Sequence, residues 1–254
     1  MRTQFWGLYV REILRTFRNP FVLLITVVQP FMWLAFFGSA FSGIAKQIAY
    51  LYGTSNYIEF LLPGVLSTSM LSVGMFGAMS SIQDKRFGFM KRILITPTSK
   101  QVIFLSKALG SATRGLIQIP IMVCAAVVFG VSFGLSPLDW VVWVLGLMCV
   151  AVGFSSVFLA ITASSTDWQT PGVVSNFITM PLMFASAALY PSSGFPAWLK
   201  AISTYNPITY IADLGRTLVL HGTVDWTAFG VVLLFAAAMG SVGYFVSAHW
   251  LRVE

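Results

Sequence analysis

Charge is what this chain has least of. It carries 15 lysines and arginines and eight aspartates and glutamates in 254 residues, 9% of the sequence. A soluble domain carries about 25%, so water cannot be the solvent for most of this surface. Cysteine and histidine are equally scarce, two of each, and Cys124 and Cys149 sit inside apolar runs with no second ligand at metal-binding spacing. A disulfide framework and a structural zinc site are therefore excluded, and the thiols read as small buried groups. What fills the space is apolar: 57% hydrophobic and 15% aromatic residues. These form continuous runs of the length a helix needs to cross a bilayer, about twenty residues. A membrane β-barrel would instead alternate apolar and polar residues over about ten positions.

The reading is an all-α integral membrane protein with six spans, over about residues 20–42, 58–81, 108–131, 138–162, 171–190 and 226–250. Asn19 and Pro20 suit the start of the first, as a cap followed by a residue whose missing N–H costs nothing there. The start of the chain carries charge through Arg18 and shows no small-residue cleavage site, so no cleavable leader is expected. Lysine and arginine then set the orientation. With the N-terminus in the cytoplasm, Arg2, Arg11, Arg15, Arg18, Lys85, Arg86, Lys91, Arg92, Lys100, Lys107, Arg114 and Arg252 lie inside, against Lys46, Lys200 and Arg216 outside. The +7 net charge follows from this bias and calls for no nucleic-acid partner.

Two segments are helical without spanning. Over residues 4–18, Trp6, Tyr9, Val10, Ile13 and Phe17 recur at helical spacing, with Arg11, Arg15 and Arg18 on another face. This predicts an amphipathic helix in the cytoplasmic interface, either an anchor or a partner surface. Residues 191–220 are apolar but broken by Pro191, Pro196 and Pro207 and charged by Lys200, Asp213 and Arg216. Two short helices, about 196–204 and 208–220, packed at or re-entering from the outer face fit this pattern, since irregular backbone at depth must be covered by protein.

No catalytic constellation emerges. Glu12, Glu59, Asp84, Asp139, Asp167, Asp213, Asp225 and Glu254 all fall in loops or near span ends, and His221 and His249 belong to opposite faces. The lack of an ionisable pair at mid-depth also weighs against a proton- or sodium-driven carrier, which retains such groups for relay. A phosphate loop of the form G-x-x-x-x-G-K-[ST] is missing, and Gly-Lys never occurs. If ATP drives this protein, another polypeptide hydrolyses it.

One internal loop is large enough to receive that partner. Residues 83–100, QDKRFGFMKRILITPTSK, hold six of the chain's charges. Lys85, Arg86, Lys91 and Arg92 share a short helical stretch with Phe87, Phe89, Met90, Ile93 and Leu94, ended by Pro97. Such a surface can dock apolar groups in a groove while charge fixes register, or lie on lipid headgroups as an orientation signal. From it, Lys100, Lys107 and Arg114 continue at intervals of seven with Ser111 and Gln118 near the same face. This polar stripe is expected to face the bundle interior, a water-filled vestibule or, by snorkelling, the headgroups.

These residues resemble a known family. The pattern D-K-R-x-G-x-x-x-x-I-L-x-T-P-x-S over 84–99, Phe60-Leu61-Leu62-Pro63-Gly64, and Asn206-Pro207-Ile208-Thr209-Tyr210 through Arg216 resemble, in order and spacing, the permease subunits of type-2 ABC exporters. Within these, the look of Pro181-Leu182-Met183-Phe184 is similar to the daunorubicin-resistance and nodulation-factor export branch. The resemblance covers essentially the whole chain, read as a single transmembrane domain over 1–254.

It implies two permeases, a second copy or a paralogue, working with two separate ABC ATPase subunits in the plasma membrane, both termini cytoplasmic. ATP and Mg would be held on the ATPases, with no cofactor in this chain. Residues 84–96 would form a coupling helix. The expected ATPase contacts are Asp84, Lys85, Arg86, Phe87, Gly88, Phe89, Met90 and Lys91, with Arg11 and Arg15 from the N-terminal helix. Lys91 and Arg92 stand where relatives carry less basic residues, so the cognate groove would be acidic. The substrate class implied is an apolar or amphipathic drug, lipid or glycolipid. The alternative is an ATP-independent membrane protein, such as a lipid-modifying enzyme or a scaffold.

Overall fold

A computed structural model of the chain describes residues 2–41, 43, 53–54, 56–163, 165, 167 and 169–250, and every regular element among them is helical. Lys46 and Arg252, two charges of the orientation count, lie outside the described residues. The helices are α1 (Arg2–Phe17), α2 (Pro20–Ala40), α3 (Tyr57–Arg86), α4 (Phe89–Leu94), α5 (Lys100–Val128), α6 (Pro137–Ala163), α7 (Thr170–Phe184), α8 (Ala197–Thr204), α9 (Pro207–His221) and α10 (Trp226–Trp250). Helix is the only element a lone apolar strand of chain can adopt in lipid, because it satisfies its own backbone. Five of them, α2, α3, α5, α6 and α10, are long and apolar enough to cross a bilayer.

The bundle is arranged around α3. Its Phe60, Leu61, Leu62, Leu66, Met70 and Leu71 are almost fully buried, as is Trp143 of α6 facing it. Helices α5, α6 and α9 pack on α3, α10 packs on α6, and α1 lies along α5. Outward positions stay apolar: Leu234, Val242 and Phe245 of α10 are exposed, as expected of a lipid-facing stripe.

Length decides where the charged groups go. Helix α3 has 30 residues and α5 has 29, about 45 Å each at 1.5 Å per residue, whereas the hydrocarbon core is about 30 Å thick. The surplus projects at one end, where α1 and α4 are also found. That charged end is capped locally: Ser99 accepts from the N–H of Val102 to start α5 eight residues ahead of the predicted span. The helix predicted over 84–96 is divided. Asp84–Arg86 form the last turn of α3, and α4 begins after Gly88, whose φ of +70° is a left-handed turn that favours glycine.

At the far end the predicted fifth span, 171–190, is helical only through Phe184. Helix α7 has 15 residues, about 22 Å, and the chain then continues irregularly through Tyr190 with Ala187, Ala188 and Leu189 buried. The pair predicted over 191–220 corresponds to α8 and α9 behind a short turn at Ser192–Gly194. Ile208, Ile211, Leu214 and Leu218 give α9 a fully buried face.

Candidate coupling site

At the charged end, side chains from three helices converge on one carboxylate. Asp84, in the last turn of α3, is 2% exposed. Arg11 of α1 grips it with two bonds, Nη2 to Oδ1 at 2.6 Å and Nη1 to Oδ2 at 3.0 Å. Lys107 of α5 donates to Oδ2 at 2.5 Å, and Arg15 of α1 lies 3.4 Å from Oδ1. A second acid, Glu12, faces the same group: Lys107 donates to its Oε1 at 3.1 Å. Ser80 joins the two layers, donating to Glu12 Oε2 at 2.6 Å while accepting from Arg15 and Lys107. Three cations and two carboxylates are thus cross-bonded through one hydroxyl used both as donor and as acceptor. Burial alone would lower the Arg11 guanidinium, but its hydrogen bond to Asp84 and the charges of Asp84 and Glu12 outweigh this and hold it above its ordinary range.

The short helix α4 rests on this cluster. Met90 and Ile93 are buried against Ile103 of α5 and Leu8 of α1. The Phe89 ring lies 3.6 Å from the Arg11 guanidinium, so a half-buried cation–π contact joins α4 to α1. The opposite side of the loop is open. Phe87 is 77% exposed and Ile95 81%, with Arg86, Lys91 and Arg92 also exposed. Lys85 turns the other way. Its Nζ donates to the carbonyls of Thr162, Ala163 and Ser165 at 2.8, 2.7 and 3.0 Å, and so caps the C-terminus of α6 with a charge of the sign the helix dipole favours.

The residues expected to contact an ATPase therefore divide into two sets. Asp84, Lys85, Phe89 and Met90, with Arg11 and Arg15, bond or pack within the chain. Arg86, Phe87 and Lys91 face outward beside Gly88, together with Arg92 of the same basic stretch, and the structure adds Ile95 to them. Glu12, Ser80 and Lys107 complete the inner set. Of these, the lysine was signalled by its seven-residue interval from Lys100 and Arg114.

At the far end the Asn206-to-Arg216 motif has a structural task. Asn206 caps α9 through Oδ1 to the N–H of Ile208 and donates through Nδ2 to the Leu182 carbonyl at 2.7 Å. Thr209 accepts from the N–H of Ala187, and Tyr57 donates to the Leu189 carbonyl at 3.0 Å. Arg216, 2% exposed, donates from Nη2 to Ala188 at 2.6 Å, from Nε to Phe60 at 3.1 Å and from Nη1 to Asp213 at 3.0 Å. The broken backbone after α7 is thereby satisfied by side chains of α3 and α9. Gly64 permits the approach, since a Cβ there would collide with the Ala188 carbonyl oxygen.

Between the two ends, α2, α3, α5 and α7 enclose a cavity of about 190 Å³ lined by Gln29, Trp33, Thr68, Ser72, Phe76, Asn176 and Met183 among others. Gln118 reaches it from α5, 1% exposed, with no hydrogen-bond partner for its amide nitrogen among the described residues. Its wall mixes amides and hydroxyls with aromatic and thioether groups.

The ABC-2 type transporter family matches residues 3–220, which takes in α1, the cluster, α4 and the whole Asn206-to-Arg216 motif. The chain belongs to that family. Among its relatives, "Putative transport permease ycf38" of Cyanophora paradoxa is 28% identical over 232 residues, 90% of this chain and 75% of the relative. "Daunorubicin resistance ABC transporter permease protein DrrB1" of Streptomyces coeruleorubidus is 25% identical over 227 residues, 88% of this chain and 77% of the relative. "Probable doxorubicin resistance ABC transporter permease protein DrrC" of Mycobacterium tuberculosis is 21% identical over 243 residues, covering 92% and 85%. The chain is a multi-pass ABC exporter permease, a transport subunit rather than an enzyme, and membership implies association with ABC ATPase subunits.

Proposed function

We propose that this permease moves an apolar or amphipathic compound, a drug, lipid or glycolipid, outward across the plasma membrane, with ATP and Mg held and hydrolysed on two separate ABC ATPase subunits. The charged end faces the cytoplasm with the N- and C-termini, and α4 with its flanking turns is the docking element. One observation carries this reading. Lys91 and Arg92 project from a six-residue helix, and Phe87 and Ile95 from the turns flanking it, while its inner side, Met90 and Ile93, is locked into α1 and α5. An exposed apolar and basic knob on a rigid base is suited to an acidic-rimmed groove, where apolar anchors supply affinity and charge supplies register.

The substrate class is supported by the cavity of amides, hydroxyls and aromatic rings, a lining that takes an amphiphile, and by the drug-resistance names of two relatives. A second permease, of this chain or a paralogue, would cover the apolar face on which Phe21, Leu24 and Phe36 of α2 and Val173 and Phe177 of α7 are exposed. Co-purification with a candidate ATPase, before and after the paired change Lys91→Glu and Arg92→Glu, tests the docking role. Recovery of the complex and transport-coupled hydrolysis should both fall by about tenfold. Unchanged assembly with unchanged coupled hydrolysis would sink it.

A further inference from the structure

A second, smaller cavity lies beside the charge cluster. About 120 Å³ in volume, it is enclosed by α1, α3 and α5 and lined by Glu12, Arg15, Asn19, Ser80, Gln83 and Arg114 among others. Arg114 is 7% exposed, donates to Thr26 at 2.7 Å and lies 3.7 Å from the Phe76 ring. Around the cavity and immediately behind it stand four cations, Arg11, Arg15, Lys107 and Arg114, against two carboxylates, Glu12 and Asp84. The groups lining the cavity and those behind it together carry a formal charge of +2.

An apolar groove of about 210 Å³ runs along α1 and α5, lined by Ile13, Phe17, Leu116 and Ile117. Thr16, Gly110 and Arg114 line both spaces, so the Arg114 side chain borders a polar chamber and an apolar groove at once. Free phosphate would use only the chamber, and an uncharged amphiphile only the groove. An anionic lipid uses both. Basic pockets between membrane helices at the cytoplasmic side take acidic lipid headgroups for the same reason.

We propose that the chamber and groove between α1 and α5 form a binding site for an anionic glycerophospholipid. Its phosphate sits against Arg15 and Arg114, and an acyl chain lies along Ile13, Phe17 and Ile117. Arg15 also bonds Ser80 and approaches Asp84, so an occupied site ties α1 to α5 at the base of the docking element and makes its rigidity depend on lipid composition. The leaflet rests on the orientation proposed above, whereas headgroup selectivity of the purified chain does not. Loss of selectivity would therefore leave the exporter reading standing.

The test uses the delipidated full chain in mild detergent, titrated with dioleoylphosphatidylglycerol, dioleoylphosphatidylcholine or inorganic phosphate, with bound lipid counted by native mass spectrometry. At about fivefold per excess cation, one phosphatidylglycerol should be retained per chain with roughly 25-fold preference over phosphatidylcholine. Arg15→Gln and Arg114→Gln should each lower that preference about fivefold. Ile117→Trp, which narrows the groove at its half-buried edge and touches no charge, should weaken phosphatidylglycerol about tenfold with an unchanged lipid-free unfolding midpoint. It covers the case in which a charge variant fails to fold. Equal retention of the two lipids, phosphate binding as tight as phosphatidylglycerol, or retention unaffected by Ile117→Trp would each overturn the site.

Discussion

Lys107 and Asp84 meet at 2.5 Å with side chains only 4% and 3% exposed, joining α5 to α3 beside the stretch of α5 along which α1 lies. Removing one partner of a buried pair leaves an uncompensated charge and costs about 3–5 kcal/mol. The two sides are not equivalent, because Asp84 is held by three cations. Asp84→Asn leaves Arg11, Arg15 and Lys107 facing Glu12 alone and should cost about 3–5 kcal/mol. Lys107→Met leaves Asp84 its bidentate arginine and should cost about 1–3 kcal/mol. The double variant should be less unstable than the two losses added, the sign of direct coupling. Thermal unfolding in detergent checks the order, and a reversed order would mean that the cluster is not organised around Asp84.

Much of this architecture was legible from apolar run length, because in lipid a long apolar run has only the helix open to it. Asn19 with Pro20, and the break at Pro207, located two helix starts closely. The cluster was only half legible. The interval of seven from Lys100 to Arg114 marked a polar stripe on one face of α5 but left interior, vestibule and headgroups all open to it, and gave no sign that Glu12, 95 residues before Lys107, is its partner. Acids near span ends read as solvated when taken one at a time. Likewise the run through Ala185–Tyr190 is apolar enough to read as helix. Only tertiary structure brings Tyr57, Thr209 and Arg216 to satisfy its unpaired backbone.

That backbone makes Arg216 hard to replace even by lysine. Its fork reaches the Phe60 and Ala188 carbonyls and Asp213 at once, with the guanidinium 3.7 Å from the Phe60 ring, whereas an ammonium is a point donor. Arg216→Lys should cost about 1–3 kcal/mol by leaving a buried carbonyl unpaired. Amide exchange should accelerate across 185–190 and stay unchanged in α10. Uniform acceleration would show that Arg216 supports the bundle generally instead of the broken segment.

Gly64 tests the same junction from the other side. Gly64→Ala places a methyl against the Ala188 carbonyl oxygen, whose position Arg216 fixes. Overpacking of this kind costs about 1–3 kcal/mol. A Cβ at Gly230 of α10 would meet nothing within 4 Å, and Gly230→Ala gains helix propensity of up to about 1 kcal/mol. The pair should move the unfolding midpoint in opposite directions. If both substitutions are neutral, α3 and the segment after α7 are not in close contact.

Lys85 connects the loop that carries α4 to the rest of the bundle. The last turn of α3 ends at Arg86, three residues before α4 opens, and Lys85 Nζ is spread over three carbonyls at the end of α6. Because α10 packs along α6, displacement of α4 would reach two spans through this one ammonium. Lys85→Met keeps the stem and removes the donor, so α6 loses a charged cap worth about 0.5–2 kcal/mol at most. The exposed knob of Phe87, Lys91, Arg92 and Ile95 is untouched by the change. Co-purification with the ATPase should therefore persist while substrate-stimulated hydrolysis and transport fall together. Loss of assembly would instead place Lys85 in the docking surface, and full transport would show that α6 needs no such tie.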